Sequence, residues 1–226
     1  MIHYKDLEKV ERLLNNTDKH FQDQPWTVLL TSGSFSPLHL MHVKILEVAK
    51  EHLEKTMNIL CCVLAPSSDS HVLYKLGKTS AILLKDRSAI CYQVANNYNW
   101  LTTFTLGNPS AEFSMHLLHS IFQKSFPNEE FKFIEVCGGD HCEKFELWKY
   151  PLVCVSRPSY EPLITEALKS GKDVHQEFVY VEDNRVSSIS STLIRKTIIS
   201  RSSTLNDLLF PETIQYLKHM NYLGLQ

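Results

Sequence analysis

Short apolar runs alternate with longer amphipathic stretches along most of the chain, and this alternation restricts the possible folds more than any other feature. The apolar runs predict buried strands at residues 26–32, 57–66, 100–107, 131–140, 151–156 and 176–183. The longer stretches carry apolar residues at helical spacing and predict helices at residues 38–55, 81–98, 110–126, 141–148, 161–171, 190–200 and 210–223. Because such alternation produces parallel strand pairs, we predict an α/β fold with a doubly wound, mostly parallel sheet and helices on both faces.

The same pass along the chain predicts its domain organisation. No shift in composition marks a linker and no segment repeats, so we expect one domain over residues 1–226. It would comprise an N-terminal helix within residues 1–20, a core over residues 26–201 and a C-terminal helical segment over residues 202–226. The polar stretch 67–80 predicts a long exposed loop.

Composition argues against several classes of function. A formal net charge of −2 gives no broad basic face for nucleic acid, so any anion must be bound by a local site. The six cysteines are scattered through apolar runs, which is typical of reduced, buried thiols. The N-terminal segment is a charged amphipathic helix rather than a signal peptide, and no apolar run has the length of a membrane span. We expect an intracellular, cytoplasmic and/or nuclear protein with neither nucleic acid nor a membrane as partner.

The end of the first predicted strand concentrates residues that suit an anion. Gly33 lets the backbone turn tightly, and the N–H groups of Ser34 and Phe35 then lie next to a helix N-terminus, where negative charge is favoured. His39 and His42 are three residues apart and therefore share one face of that helix. A solvated histidine pair beside a packing glycine is the alternative interpretation, but the combination in one turn favours a phosphate site.

Two later clusters each allow two interpretations. Gly138, Gly139 and Asp140 end the fourth predicted strand, where they would either hold a ribose or form a tight turn with Asp140 as helix N-cap. The segment 189–195, with sequence ISSTLIR, would either donate hydrogen bonds to phosphates or act as an ordinary serine cap with an exposed arginine.

The segments 33–42 and 189–195 together resemble a known superfamily. "GSFSPLHLMH" is similar to the G-x-F-x-P-x-H-x-x-H signature of the nucleotidyltransferases, and "ISSTLIR" matches their I-S-S-T-x-x-R signature, in the same order. The segment 136–148, "VCGGDHCEKFELW", and the strand end "VCVSRPSY" resemble the nicotinamide/nicotinate mononucleotide adenylyltransferases of eukaryotic type. The resemblance covers roughly residues 27–224 and implies a Rossmann-like nucleotidyltransferase fold.

The resemblance also implies a reaction. A mononucleotide phosphate attacks the α-phosphorus of ATP, giving NAD or its deamido form and pyrophosphate. Alignment of the phosphates and neutralisation of the leaving group carry such chemistry, so no protein nucleophile is needed. The implied partners are ATP and a pyridine mononucleotide, and the implied cofactor is Mg²⁺, held by the ATP phosphates rather than by a protein metal site.

The family's functional residues can be placed on matching positions of this chain. The catalytic groups would be His42, Arg195 and His39. The ATP-binding set would be Gly33, Ser34, Phe35, His39, His42, Gly138, Asp140, Arg157, Ser190, Ser191, Thr192 and Arg195. The mononucleotide-binding set would be Ser34, Phe35, Lys75, Arg87, Trp100 and Trp148.

Several of these placements keep a competing interpretation. Lys75 and Lys78 are alternatives for one phosphate contact, and Arg87 is equally an ordinary salt-bridge arginine. Arg157 could be a surface charge. Trp100 and Trp148 would stack on the pyridine ring or would only pack.

The chain departs from the family pattern on the side of the second substrate. Ser36 replaces the usual asparagine, and the family's G-D-x-Y-x-K loop is replaced by a segment that keeps Asp69 and a displaced lysine. Another phosphorylated acceptor, such as phosphopantetheine or a phospho-alcohol, or a non-catalytic nucleotide binder, therefore remain alternatives. The preference for amide or acid and the oligomeric state stay open.

Two further residue pairs do not indicate a functional site. His116 and His119 lie far from any motif in the sequence and are interpreted as a structural or solvated pair. Cys137 and Cys142 flank the glycine turn, but their separation without further ligands gives no case for a metal.

Overall fold

The structure is a computed structural model that describes residues 4–108, 110–145, 147–149, 151–157, 161–170, 174–201 and 203–225. Within these residues six strands form one sheet in the order β3-β2-β1-β4-β5-β6, and every pairing is parallel. The strands are β1 Trp26–Gly33, β2 Asn58–Pro66, β3 Leu101–Thr103, β4 Phe131–Gly138, β5 Leu152–Ser156 and β6 Phe178–Glu182. The predicted doubly wound α/β fold is confirmed.

Helices connect the strands and close both ends of the chain. They are α1 Tyr4–Asn16, α2 Leu40–Leu53, α3 Asp69–Ser80, α4 Leu84–Ala95, α5 Ala111–Ser125, α6 Gly139–Phe145, α7 Glu161–Lys169, α8 Ser191–Ile199 and α9 Pro211–His219. Short 3-10 turns lie at Leu147–Lys149, Ser203–Asp207 and Tyr222–Gly224. Among the described residues, no helix is both long and apolar enough to cross a membrane.

Alternate residues of the central strand β1 belong to two hydrophobic cores, one on each face of the sheet. Leu29 packs on one face, with residues of α2, α4 and α8 such as Leu46 and Ile194. Val28 and Leu30 pack on the opposite face, with residues of α1 and α5. Successive side chains of a strand point to opposite faces, so continuous burial along β1 requires helices on both sides.

The sheet order reverses next to β1, and this reversal positions the site. The chain moves outward through β2 and β3 on one side and returns to β4, β5 and β6 on the other. At such a point the connections after neighbouring strands leave in opposite directions, which opens a crevice at the carboxyl ends. Gly33, at the end of β1, and Gly138, at the end of β4, border this crevice.

The predicted loop at residues 67–80 is wrong, because most of this segment forms α3. Ser68 caps the helix, and its hydroxyl accepts a hydrogen bond from the backbone N–H of His71. Only Val72 is fully buried along it, so the apolar periodicity that would indicate a helix is missing. Gly77 interrupts the helix with a positive φ of 71°, a conformation that favours glycine.

The helix predicted from residue 110 is confirmed as α5. Ser110 caps it by accepting a hydrogen bond from the backbone N–H of Phe113, while Pro109, which we expected to start it, lies outside the described residues. The expectation of buried cysteines is also confirmed, since all six are buried.

Candidate active site

A cavity of about 1270 Å³ opens at the carboxyl ends of β1, β4 and β5. Its wall includes residues from both signature segments, 33–42 and 189–195, and from the glycine turn after β4. The predicted ATP-binding residues on the wall are Gly33, Ser34, Phe35, His39, His42, Gly138, Asp140, Arg157, Ser190, Ser191, Thr192 and Arg195. The fold therefore places the complete predicted ATP set around one space.

The turn after β1 depends on close packing between Gly33 and Phe35. Phe35 has a positive φ of 42°, and its ring lies so near that a Cβ on Gly33 would come within 2.9 Å of it. The ring is buried and meets the His42 ring edge-on, with 4.8 Å between the centroids. The glycine is thus needed to admit the ring that supports His42, a requirement that the sequence did not reveal.

We expect Gly33→Ala to lower the free energy of unfolding by about 1–3 kcal/mol, because the added methyl overpacks the Phe35 ring. Chemical denaturation of the two proteins measures the difference. The double variant Gly33→Ala/Phe35→Leu should recover part of it, since the smaller side chain leaves room for the methyl group. Equal stability of Gly33→Ala and the parent protein would contradict this account of the turn.

The two histidines form one stacked unit at the start of α2. Their ring centroids lie 3.6 Å apart with an angle of 26° between the planes. The backbone N–H of His39 donates to Nδ1 of His42 at 3.1 Å. Because Nδ1 of the neutral His42 ring is thereby an acceptor, its proton lies on Nε2, which leaves that atom as a donor.

Both imidazoles are neutral at physiological pH. Burial lowers the pKa of His39 to about 3. Burial, the neighbouring His39 and the charge of Lys75 together hold the pKa of His42 well below its usual range. The pair can therefore donate hydrogen bonds to an oxyanion but does not contribute fixed positive charge.

The second signature segment is bonded directly to the first. The guanidinium of Arg195 donates through Nη1 to the carbonyl oxygen of Ser36 at 2.7 Å and through Nη2 to the hydroxyl of Thr192 at 2.9 Å. The hydroxyl of Ser191 donates to the carbonyl oxygen of Pro37 at 3.0 Å. The imidazoles and the guanidinium thus line the same cavity, and the two segments brace each other.

The same helix end also carries the ordinary cap that the sequence allowed. The hydroxyl of Ser190 accepts a hydrogen bond from the backbone N–H of Leu193 at 3.2 Å, which caps α8. Arg195 uses two N–H groups in the bonds described above, and a guanidinium has five. Capping and anion binding are therefore compatible in this segment.

The glycine turn after β4 forms the opposite wall. A Cβ on Gly138 would lie 3.0 Å from a carboxylate oxygen of Asp140, so a larger residue would crowd this side chain. Helix α6 begins at Gly139, which places Asp140 inside the first turn rather than at the N-cap position. Asp140 is exposed and lines the cavity, together with the half-buried Arg157 that follows β5.

A family model described as cytidylyltransferase-like matches residues 30–197, a span that contains both signature segments and the glycine turn. The chain belongs to the cytidylyltransferase-like family.

This cytidylyltransferase-like chain is similar to a curated protein and to a solved structure. A nicotinamide/nicotinic acid mononucleotide adenylyltransferase of Arabidopsis thaliana is 25% identical over 230 residues, which cover 90% of this chain and 93% of the relative. A solved nicotinic acid mononucleotide adenylyltransferase of Plasmodium falciparum, in complex with NaAD, aligns with a TM-score of 0.55 and 15% identity. That alignment covers 88% of this chain and 98% of the other and shows the shared fold.

The structure distinguishes between the two lysines proposed for one phosphate contact. Lys75, on α3, lies on the cavity wall and near enough to His42 for its charge to act on the pKa of that ring. Lys78 follows the break at Gly77 and is exposed, and it is not part of the wall. Of the two lysines, only Lys75 is placed to contact a ligand in this cavity.

Arg87 does not lie where the resemblance placed it. Its side chain has no exposed surface, and its guanidinium donates to the carbonyl oxygens of Ile82 at 2.8 Å and Ser34 at 3.2 Å and to Asp69 at 3.1 Å. A group so enclosed cannot reach a mononucleotide directly. We correct its role to that of a support, which ties the signature turn at Ser34 to α3 and α4.

Trp100 is also displaced from its expected place. It immediately precedes β3, at the amino end of the sheet, whereas the cavity opens at the carboxyl ends. Its ring packs against the hydrophobic core, with 5.2 Å between its centroid and that of Tyr98. Of the two interpretations of Trp100, its surroundings favour packing. The side chain of Trp148 lies outside the described residues.

The cavity wall also includes polar residues that the sequence analysis did not assign to a site. His116 and His119, which we interpreted as remote from any site, lie on its wall together with His71 and Glu112. Glu135 of β4 also reaches the wall, and burial raises its pKa to about 7. The available signal was Glu135 itself, a carboxylate between Ile134 and Val136 in the middle of a strand, on the face of the sheet against which α5 packs.

Proposed function

We propose that this protein transfers AMP from ATP to nicotinamide or nicotinate mononucleotide and releases pyrophosphate. The single observation that carries the proposal is the contact between the two signature segments, in which Arg195 and Ser191 bond the backbone of residues 36 and 37 beside the histidine pair. Family membership supports nucleotidyl transfer, and the activity named for the Arabidopsis relative supports adenylyl transfer to a pyridine mononucleotide.

The chemistry needs a new bond between an acceptor phosphate oxygen and the α-phosphorus of ATP. The bond from that phosphorus to the bridging oxygen of the β-phosphate breaks at the same centre, and negative charge grows on the leaving pyrophosphate. His42 would donate to the phosphoryl oxygens from Nε2, and Arg195 would meet the departing phosphates with its remaining N–H groups. Asp140 would accept from the ribose hydroxyls. Rate enhancement then comes from alignment and charge, without a covalent intermediate on the protein.

The cavity carboxylates of the described residues are dispersed rather than clustered, as expected if a magnesium ion arrives with ATP. Glu112, Glu135 and Asp140 lie on three different elements, and no three carboxylate or imidazole groups of the described residues come within 4.8 Å of one another. Mg²⁺ in such enzymes is usually held by one or two carboxylates and by substrate phosphates. When bound, the ion would neutralise charge on the pyrophosphate.

We expect the histidine pair to cause no inflection in kcat/KM for ATP between about pH 6 and 8, because His39 and His42 are neutral throughout. Burial lowers both pKa values, so the free protein takes up these protons only well below pH 6.5. Raising the pH through 6.5 therefore removes no positive charge from the pair. Burial raises the pKa of Glu135 to about 7, so any inflection from this carboxyl falls in the same range and should be unchanged in His42→Gln. A fall in kcat/KM with a midpoint near 6.5, absent in His42→Gln, would show instead that His42 acts as a cation.

Lys75→Ala should raise KM for the mononucleotide by about tenfold, because removal of one phosphate contact costs roughly 1.5 kcal/mol or more. Lys78→Ala, the matched control on the same helix, should leave KM unchanged. Initial rates at varied mononucleotide concentration separate the two. Equal effects of both substitutions would remove the direct role assigned to Lys75.

Incubation of the protein with ATP, Mg²⁺ and either mononucleotide, followed by chromatography for NAD and deamido-NAD, tests the proposal directly. Product that depends on protein, ATP and acceptor is the expected result. If product forms only with a different phosphorylated acceptor, such as phosphopantetheine, the proposed second substrate is wrong but the proposed nucleotidyl transfer stands. ATP binding without turnover on any acceptor would support a non-catalytic nucleotide binder.

A further inference from the structure

Three cysteine thiols meet beneath the glycine turn of the cavity. Cys137 and Cys154 are paired in register on the adjacent strands β4 and β5, and Cys142 comes from α6. The three sulfur atoms all lie within 4.8 Å of one another, and all three residues are buried. The sequence analysis found no case for a metal because Cys137 and Cys142 showed no further ligand, and the fold brings Cys154 to them as a third donor.

From this cluster we propose a Zn²⁺ site, with Cys137, Cys142 and Cys154 as its thiolate ligands and a water from the adjoining cavity in the fourth position. Zinc–sulfur bonds of about 2.3 Å in a tetrahedral site place sulfur atoms roughly 3.8 Å apart. The cluster would reach this geometry through small side-chain adjustments, since the strands and helix already bring the thiols together. Cys137 also lies on the cavity wall, which gives an ion a route to the cluster.

Charge favours zinc over other thiophilic ions at this place. Three thiolates leave one net negative charge with Zn²⁺ and two with Cu⁺, and the surroundings are apolar, including Leu152 and Ile164. Zinc binds thiolates rather than thiols, so binding must release protons and affinity should rise with pH.

The site would stabilise the part of the cavity wall that carries the predicted ribose contacts. Gly138 directly follows Cys137, and Asp140 lies between two of the ligands in the chain. An ion that joins β4, α6 and β5 would fix the turn between them. The other cysteines are separate from this cluster, since Cys61 belongs to one hydrophobic core and Cys62 and Cys91 belong to another.

Zinc titration of the reduced, metal-free protein against a chromogenic chelator tests the proposal. We expect one Zn²⁺ per chain, with tighter binding at pH 8 than at pH 6. Cys137→Ala, Cys142→Ala and Cys154→Ala should each weaken binding by more than the roughly 10- to 100-fold that loss of an outer-shell partner costs. Cys91→Ala, which removes a fully buried thiol elsewhere, should bind like the parent protein.

A second measurement keeps the test decisive if the alanine variants fail to fold. Zn²⁺ should protect the three cluster thiols of the parent protein from alkylation, as located by mass spectrometry, without changing the labelling of Cys91. No binding of Zn²⁺ by the folded parent protein, or protection that does not distinguish the cluster from Cys91, would overturn the site. Neither measurement depends on turnover, so the result is independent of the proposed function.

Discussion

Arg195→Ala should lower kcat by about 10²- to 10³-fold, the cost typical of removing one donor that stabilises charge in a transition state. The guanidinium is held by the carbonyl oxygen of Ser36 and the hydroxyl of Thr192, so its remaining N–H groups are preorganised beside the histidine pair. Charge on pyrophosphate grows as the reaction proceeds, and a contact that strengthens with it affects kcat more than KM.

The experiment must separate charge stabilisation by Arg195 from its structural role, because Arg195 also joins two segments that are distant in the sequence. Arg195→Lys keeps the charge but loses the planar fork, and we expect intermediate activity from it. Ser191→Ala removes the other bond between the segments without removing a charge. If loss of bracing were the whole effect, Ser191→Ala and Arg195→Ala would reduce kcat and thermal stability in parallel. A kcat of Arg195→Ala within about threefold of the parent value would contradict the assignment.

Patterns local in sequence predicted the framework of this fold. Strand-length apolar runs predicted all six strands of the described sheet, and the strand ends predicted where a ligand would bind. The two signature segments also predicted partners for each other, and the bond between Arg195 and Ser36 has the geometry that this pairing requires. These features follow from backbone pleat, helix periodicity and connectivity, which the chain encodes over short distances.

Features that depend on packing between distant elements were not predictable in the same way. Helix α3 escaped prediction because one fully buried residue and an interrupting glycine leave no helical period. Arg87 carries a charge, and charged residues are rarely fully buried, yet three acceptors from separate segments satisfy it inside the protein. Part of the cavity wall comes from α5. Its position depends on where that helix packs against β4, and no local sequence pattern predicts this packing.

His42→Ala should also lower kcat by about 10²- to 10³-fold, because it removes the donor at Nε2 that the stacked pair aims into the cavity. The substitution also removes the acceptor for the backbone N–H of His39 at the start of α2, so we expect a loss of stability of roughly 1 kcal/mol, and kcat is compared where both proteins are fully folded. His42→Gln retains an N–H donor and should keep more activity than His42→Ala. His52→Ala, an exposed histidine on the same helix, is the matched control and should be indistinguishable from the parent protein.

The pH dependence of these variants distinguishes a neutral donor from a cation. Burial holds the pKa of His42 well below its usual range, so a neutral amide at this position should reproduce the pH profile of kcat/KM of the parent protein. If the ring worked as a cation, the parent protein would lose activity as the pH rises through 6.5 and His42→Gln would not. Full activity of His42→Ala at any pH would remove this residue from the reaction, and with it the placement of the phosphates beside α2.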